Sequence, residues 1–199
     1  ERDLTLPELL KATADGEEDL EWEHDPALQS MLARLQDKSA FEPMEDPPDL
    51  RGSLRDYQRR GVAWLAYLES LGLNPCLADD MGLGKTLEVI ARLLDERQSG
   101  QTVGPTLVIA PTSVLGNWRK EIERFAPGLR AMVHQGSGRS REERRFREAC
   151  RDNDVIITSF ALARLDEKLL RSVNWGRVVV DEAQNIKNPE AAQTRAISK

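Results

Sequence analysis

Two short stretches hold residues whose types and order can do chemistry. The first is Asp79-Asp80-Met81-Gly82-Leu83-Gly84-Lys85-Thr86. A glycine-bearing turn that feeds a helix is an anion site by construction. The first helical N–H groups have no partner inside the helix, and the helix dipole adds positive potential there. Gly82 and Gly84 let the backbone curl close around phosphates. Lys85 is placed to reach the β- and γ-phosphates, and the Thr86 hydroxyl to ligate Mg²⁺. The common spacing, G-x-x-x-x-G-K-[ST], wants a glycine where this chain has Asp79. That position sets turn geometry, and Asp tolerates turn conformations better than most residues. Taken singly, Gly-Lys-Thr is equally an ordinary helix start. The second stretch, Arg177-Val178-Val179-Val180-Asp181-Glu182-Ala183-Gln184, is an apolar strand ending in two acids. Beside nucleotide phosphates, Asp181 suits a hexacoordinate Mg²⁺, and Glu182 can orient or deprotonate an attacking water. In isolation the pair reads as a solvated acidic turn. Following a Gly-Lys-Thr and several further α/β units, it reads as the second half of a nucleotide site.

The elements that must position these residues are visible as apolar runs alternating with amphipathic stretches. Five strands are expected: "NPCLAD" leading into the glycine loop, "TLVIAP", "LRAMVHQG", "DVIITSF" and "GRVVVDEAQ". Residues 54–72 place Leu54, Tyr57, Gly61, Trp64, Leu65 and Leu68 on one helical face, and Gly72 ends that helix. Helices follow over 85–98, 113–126, 140–152 and 161–173, and another begins at 188. Continuous Val/Ile/Leu strands alternating with such helices predict an α/β fold, with a parallel sheet covered by helices on both faces. In open sheets of this kind ligands bind at the carboxyl ends of the strands, where both motifs lie.

The first 50 residues differ in character. They carry 15 acids and 4 bases, a net −11, whereas residues 51–199 carry +5 within an overall −6. A mildly basic body thus follows an acidic leader, which the overall charge conceals. Residues 4–12 and 26–38 read as helices, and 41–53, with three prolines and a glycine, as a linker. Neither a membrane span nor a signal-peptide core is present. Cys76 lies in an apolar run and reads as a buried free thiol, and neither Cys76 and Cys150 nor His24 and His134 have metal-ligand spacing. Arg139, Arg141, Arg144, Arg145 and Arg147 are interleaved with Glu142, Glu143 and Glu148, which favours a solvated, internally paired helix face over a nucleic-acid surface.

In order and spacing, "LRDYQRRGVAWL", "LADDMGLGKT", "LVIAPTSVLGNW", "DVIITSF" and "VVVDEAQNIKNP" resemble the first motor lobe of the SWI/SNF-type ATPases of helicase superfamily two, in their bacterial branch. The resemblance covers residues 51–199, and the Asp79 that departs from the common loop is itself usual in the family. It implies a RecA-like lobe that binds ATP and Mg²⁺, in a DNA-dependent ATPase that translocates on duplex DNA and remodels protein–DNA complexes. It also implies a bacterial cytoplasmic, nucleoid-associated setting and no membrane. A motor acting on RNA polymerase and a non-hydrolysing, nucleotide-gated scaffold are the alternatives. Residue by residue, the nucleotide set becomes Gln58, Asp80, Met81, Gly82, Leu83, Gly84, Lys85 and Thr86. Gln58 matches the glutamine that reads the adenine edge; by spacing alone it reads as covering exposed helix surface. Asp181 and Glu182 match the metal and water-activating acids, and Gln184 matches a residue coupling the nucleotide site to the rest of the motor. Pro111, Thr112, Ser113, Thr158 and Ser159 match segments that grip the phosphates of one DNA strand, with Thr158-Ser159 also readable as a helix N-cap. Asn117 and Trp118 belong to the same motif, Trp118 reading as core; Lys187 reads either as a nucleic-acid contact or as solvated charge. Residues 1–50 more weakly resemble an accessory region that precedes the bacterial motors. The family motor has a second lobe, and its first continues to a "TGTP"-like motif beyond Lys199, so the resemblance implies an incomplete lobe in this chain.

Overall fold

Four of the five apolar runs become strands, and each is placed by its neighbours' hydrogen bonds. In the computed structural model, residues 41–77, 84–100 and 104–186 are described. The expected helices at 4–12, 26–38 and from 188, residues 79–83 of the glycine loop, and Lys187 lie outside them. The described residues form two compact units, one of residues 41–46, 54–77 and 84–88, the other of 47–53, 89–100 and 104–186.

In the first unit, α1 spans Asp56–Ser70 and α2, Lys85–Gln98, begins. Helix α1 closes as its sequence requires. Gly72 takes φ +71°, its N–H donates to Glu69 O, and the Leu73 N–H reaches back to Leu68 O, the paired bonds of a glycine C-terminal cap. Leu54, Gly61, Leu65 and Leu68 are buried as the periodicity predicts, with Val62 added, whereas Tyr57 is 36% exposed at the edge of that face. The segment read as a linker is packed where it meets α1. Asp46 accepts from Arg59 Nε and Nη2 at 3.1 and 2.9 Å and from the Leu54 N–H at 3.2 Å. Phe41 lies 5.2 Å from Tyr67, centroid to centroid. A planar guanidinium and a carboxylate matched fork to fork give this Pro-rich piece the fixed anchor that composition does not reveal.

In the second unit, β1 (Thr106–Ala110), β2 (Ala131–Val133), β3 (Val155–Ser159) and β4 (Arg177–Val180) form one sheet in the order β2-β3-β1-β4, and all three pairings are parallel. The two central strands, β1 and β3, are buried throughout, which is why their sequences run apolar rather than alternating. Helix α3 (Leu115–Phe125) packs on β2 and β3. The opposite face carries α4 (Glu143–Arg151), α5 (Phe160–Leu165) and α6 (Glu167–Arg171). There Phe146, Cys150, Phe160, Ala163 and Leu170 close over Leu107, Ile109 and Ile156.

Three expectations fail locally. Residues 74–77 form no strand: no sheet ladder includes them, and an apolar run without a hydrogen-bonded neighbour has nothing to hold it extended. Cys76 is accordingly exposed rather than buried, while Cys150 is buried on the inner face of α4, and that burial pushes its thiol up to about 11. The single helix expected over 161–173 is two, broken at Asp166, whose carboxylate is held by groups from elsewhere in the unit.

Candidate functional site

On the phosphate side, the described part of the loop ends in Gly84 at φ +83°, a left-handed conformation that glycine adopts without a Cβ penalty. The Leu87 and Glu88 N–H groups close the first turn of α2 onto Gly84 O, which sets Lys85 and Thr86 in that turn, both half-buried. Gln58, on α1, is buried at 4% exposure. Its Oε1 accepts from the Arg55 N–H at 2.9 Å, and its Nε2 lies 3.5 Å from Gly84 O. A Cβ on Gly84 would stand 2.6 Å from that same Nε2. The amide therefore caps α1 and also bears directly on the glycine that opens the phosphate helix.

On the acidic side, β1 supports the motif. The Asp181 N–H donates to Ile109 O at 2.9 Å, continuing the β1–β4 ladder one residue past Val180. The Asp181 carboxylate accepts from Trp118 Nε1 through Oδ2 at 2.8 Å. Glu182 follows at φ +53°, unusual for a residue with a side chain and the kind of local strain that clusters at functional sites. The Gln184 amide donates to the Glu182 carboxylate, so the residue expected to couple the acidic box to the motor touches its second acid directly. Sequence reasoning placed Trp118 in the core, where it is, at 3% exposure. It missed the hydrogen bond. The available signal was the indole N–H itself, since a buried tryptophan must find an acceptor.

The segments expected to grip phosphates divide. Pro111 follows β1, and Thr112 and Ser113, in a short 3-10 turn leading to α3, are exposed. Asn117 is also exposed and donates to Glu121 across one turn of α3. Thr158 and Ser159, by contrast, are buried. Thr158 Oγ1 donates to His134 O, and Ser159 Oγ accepts from the Leu162 N–H as the N-cap of α5. Their hydroxyls are engaged inside the unit, and the N-cap reading of Ser159 is the one these bonds display.

Another cluster lies beside β2. His134, at 2% exposure, places Nε2 3.0 Å from Asp166 Oδ2, and Arg139 donates to both oxygens of the same carboxylate. Burial pushes the Asp166 carboxyl up, but the hydrogen bonds and charge of Arg139 and His134 outweigh it and hold it below the usual carboxylate range. Arg139 thus serves the interior. Arg144, Arg145 and Arg147 pair with Glu148, Glu142 and Glu143 on the exposed face of α4 and its approach, as the interleaved sequence suggested.

Comparison with known proteins decides the family. The SNF2-related domain model matches residues 57–199. The chain belongs to the SNF2-related family. YwqA of Bacillus subtilis, named for an ATP-dependent helicase/translocase, is 43% identical over 172 residues, which are 86% of this chain and 18% of that protein. Helicase SWR1 of Eremothecium gossypii is 43% identical over 152 residues, 76% of this chain and 10% of its own length. Among solved structures, the Sulfolobus solfataricus SWI2/SNF2 ATPase core in complex with dsDNA superposes with a TM-score of 0.70 at 41% identity, covering 79% of this chain and 31% of that one. The resemblance read from five motifs therefore stands: this is the first-lobe architecture of a SWI/SNF-type core, and its four-stranded parallel sheet is the RecA-like one. The chain spans under a fifth of the length of either named relative.

The residues present suit the groups this SNF2 family implies. A lysine and a hydroxyl at a helix start, opened by a left-handed glycine, match a polyphosphate. A carboxylate and a hydroxyl are the hard oxygen donors that Mg²⁺ takes, with water and phosphate completing its shell. Among the described residues no cluster of three or more His, Cys, Asp and Glu offers an all-protein metal cage, and a nucleotide-borne Mg²⁺ needs none.

Proposed function

We propose that this chain is the ATP-binding lobe of a DNA-dependent ATPase that translocates on duplex DNA and remodels protein–DNA complexes. Residues 51–199 make the lobe, residues 1–50 an acidic accessory region, and the parent protein supplies a second lobe. The observation that carries the reading is the carboxyl edge of the sheet. Exposed Thr112 and Ser113 follow β1, and Asp181 and Glu182 follow β4, the strand hydrogen-bonded to it. The relative solved with dsDNA supports duplex DNA as the partner.

In this reading the backbone N–H groups at the start of α2 and the Lys85 ammonium hold the β- and γ-phosphates. Bound Mg²⁺ supplies charge neutralisation on the phosphates, with Thr86 and Asp181 as its protein ligands. Glu182 orients the attacking water and accepts its proton as the water oxygen bonds to the γ-phosphorus and the bond from that phosphorus to the bridging oxygen breaks, releasing ADP. Gln58 accepts and donates at the adenine edge, and its bond to Gly84 O ties base recognition to the phosphate helix. Thr112 and Ser113 hold backbone phosphates without reading bases, which suits a motor indifferent to sequence. Among the described residues no helix is long and apolar enough to cross a membrane, and a bacterial cytoplasmic protein working on the nucleoid is the setting proposed.

The test is the ATP hydrolysis rate of the chain continued through its second lobe, with no nucleic acid, duplex DNA, single-stranded DNA or RNA. Strong stimulation by duplex DNA is expected, with a loss of at least about a hundredfold in Glu182→Gln, the scale of a lost general base. No stimulation by any nucleic acid would reject the DNA motor and turn the test to RNA polymerase as activator. Retained nucleotide binding without hydrolysis would favour the scaffold. On the 199-residue chain itself, fluorescent ADP should bind, and Lys85→Ala should abolish that binding.

A further inference from the structure

Asp181 is fixed twice, and both anchors come from the same stretch of chain. Its N–H is held by Ile109 of β1, and its Oδ2 by the indole of Trp118, on the helix that follows β1. A carboxylate at a strand end rotates about two side-chain bonds, so a metal ligand there needs a partner to hold its orientation. Among the described residues Trp118 is the side chain whose hydrogen bond to Asp181 does this, from a position 3% exposed and beside buried Leu115 and Ile122 on α3. An indole has one N–H and no acceptor, so it cannot turn to another role. It engages Oδ2, so Oδ1 is the oxygen that its bond does not occupy. The geometry is mutual: without Asp181 the buried indole N–H loses its acceptor, and without Trp118 the carboxylate loses its set orientation.

We propose that Trp118 is a positioning residue for the metal-binding carboxylate. Its N–H sets the orientation in which Asp181 meets the nucleotide's Mg²⁺, and through α3 it ties that orientation to exposed Thr112 and Ser113 just before the helix. The proposal rests on the assignment of Asp181 to Mg²⁺ made above. Partners that orient metal ligands are worth about 10–100-fold in metal affinity. The bond joins residues 63 apart in sequence, which is why no motif spacing displays it.

The test uses Trp118→Phe, which keeps a ring in the layer and removes the N–H. Fluorescent ADP is held at fixed concentration while Mg²⁺ is titrated, a binding readout independent of hydrolysis. The Mg²⁺ needed for half-maximal response should rise about tenfold or more. ADP binding in EDTA should change little. Asp181→Asn should lose the Mg²⁺ response, and Trp118→Phe added to it should cost nothing further. If Asp181→Asn loses the response and Trp118→Phe keeps the wild-type titration, the Trp118 proposal is overturned while the Asp181 assignment survives. If Asp181→Asn responds as wild type does, or the wild type shows no response, the assignment itself goes and takes the proposal with it. Should Trp118→Phe fail to fold, 5-fluorotryptophan labelling of the unsubstituted chain replaces it. The Trp118 fluorine resonance, identified by substituting the other three tryptophans, should shift on Mg²⁺–ADP binding and not in Asp181→Asn; an unmoved resonance overturns the proposal.

Discussion

At Asp166 one carboxylate serves an imidazole and a guanidinium that reach it from the other side of β3 in sequence. It also breaks what would otherwise be a continuous helix. Its consequence is a pH dependence with a definite sign. The folded-state value lies below the ordinary 3.8. The stabilisation is therefore fully present above that ordinary value and is lost as pH falls through the lower folded one. Unfolding midpoints measured between about pH 6 and pH 2 should drop at the acid end, and Asp166→Asn should remove part of that drop while lowering the midpoint at neutral pH. Asp154, held down in the same direction against its burial by Arg130, supplies a further share that the substitution leaves in place. An acid limb identical in wild type and Asp166→Asn would mean that the cluster contributes no linkage.

Among elements, α1 and α2 meet where helix propensity and packing pull in opposite directions. Gly61 sits inside α1, where replacing glycine by alanine ordinarily stabilises by about 0.5–1 kcal/mol. A Cβ there would stand 2.6 Å from Glu88 Oε1, and Glu88 is 1% exposed, so the carboxylate has little room to withdraw. Gly61→Ala should therefore destabilise, by about 1–3 kcal/mol as overpacking does, in urea unfolding. A gain in stability would show that Glu88 moves aside freely. The same contrast explains what could be read before the structure. Apolar runs that find ladder partners, such as "TLVIA" and "VIITS", were legible as strands, and the cap at Gly72 was legible because glycine's left-handed conformation is a local matter. Whether residues 74–77 become a strand depends on a neighbouring strand, which their own composition does not report. The break at Asp166, the burial of Thr158 and Ser159 and the hold of Trp118 on Asp181 are all tertiary. Sequence periodicity could place each residue on a face but not name its partner.

For the whole molecule the relevant quantity is where its charge resides. Residues 1–40 carry 11 acids and 4 bases, and removing them takes the chain from −6 to +1. In the proposed reading, an acidic segment tethered to the net-positive lobe would compete with DNA for it at high local concentration, and that competition would be electrostatic. Cutting after residue 40 retains Phe41 and the Asp46–Arg59 clamp, so the packing of the Pro-rich segment on α1 is kept and the charge is what changes. Duplex-DNA affinity of the shortened chain should rise several-fold at low salt. The difference should shrink as ionic strength brings the Debye length to about 8 Å and below, because screening weakens tether and DNA alike. Fluorescence anisotropy with a labelled duplex across a salt series measures both. Equal affinity of the two chains at the lowest salt would remove the acidic region from any account of how DNA reaches the lobe. An effect that persists at high salt would point to a surface held by packing rather than by charge.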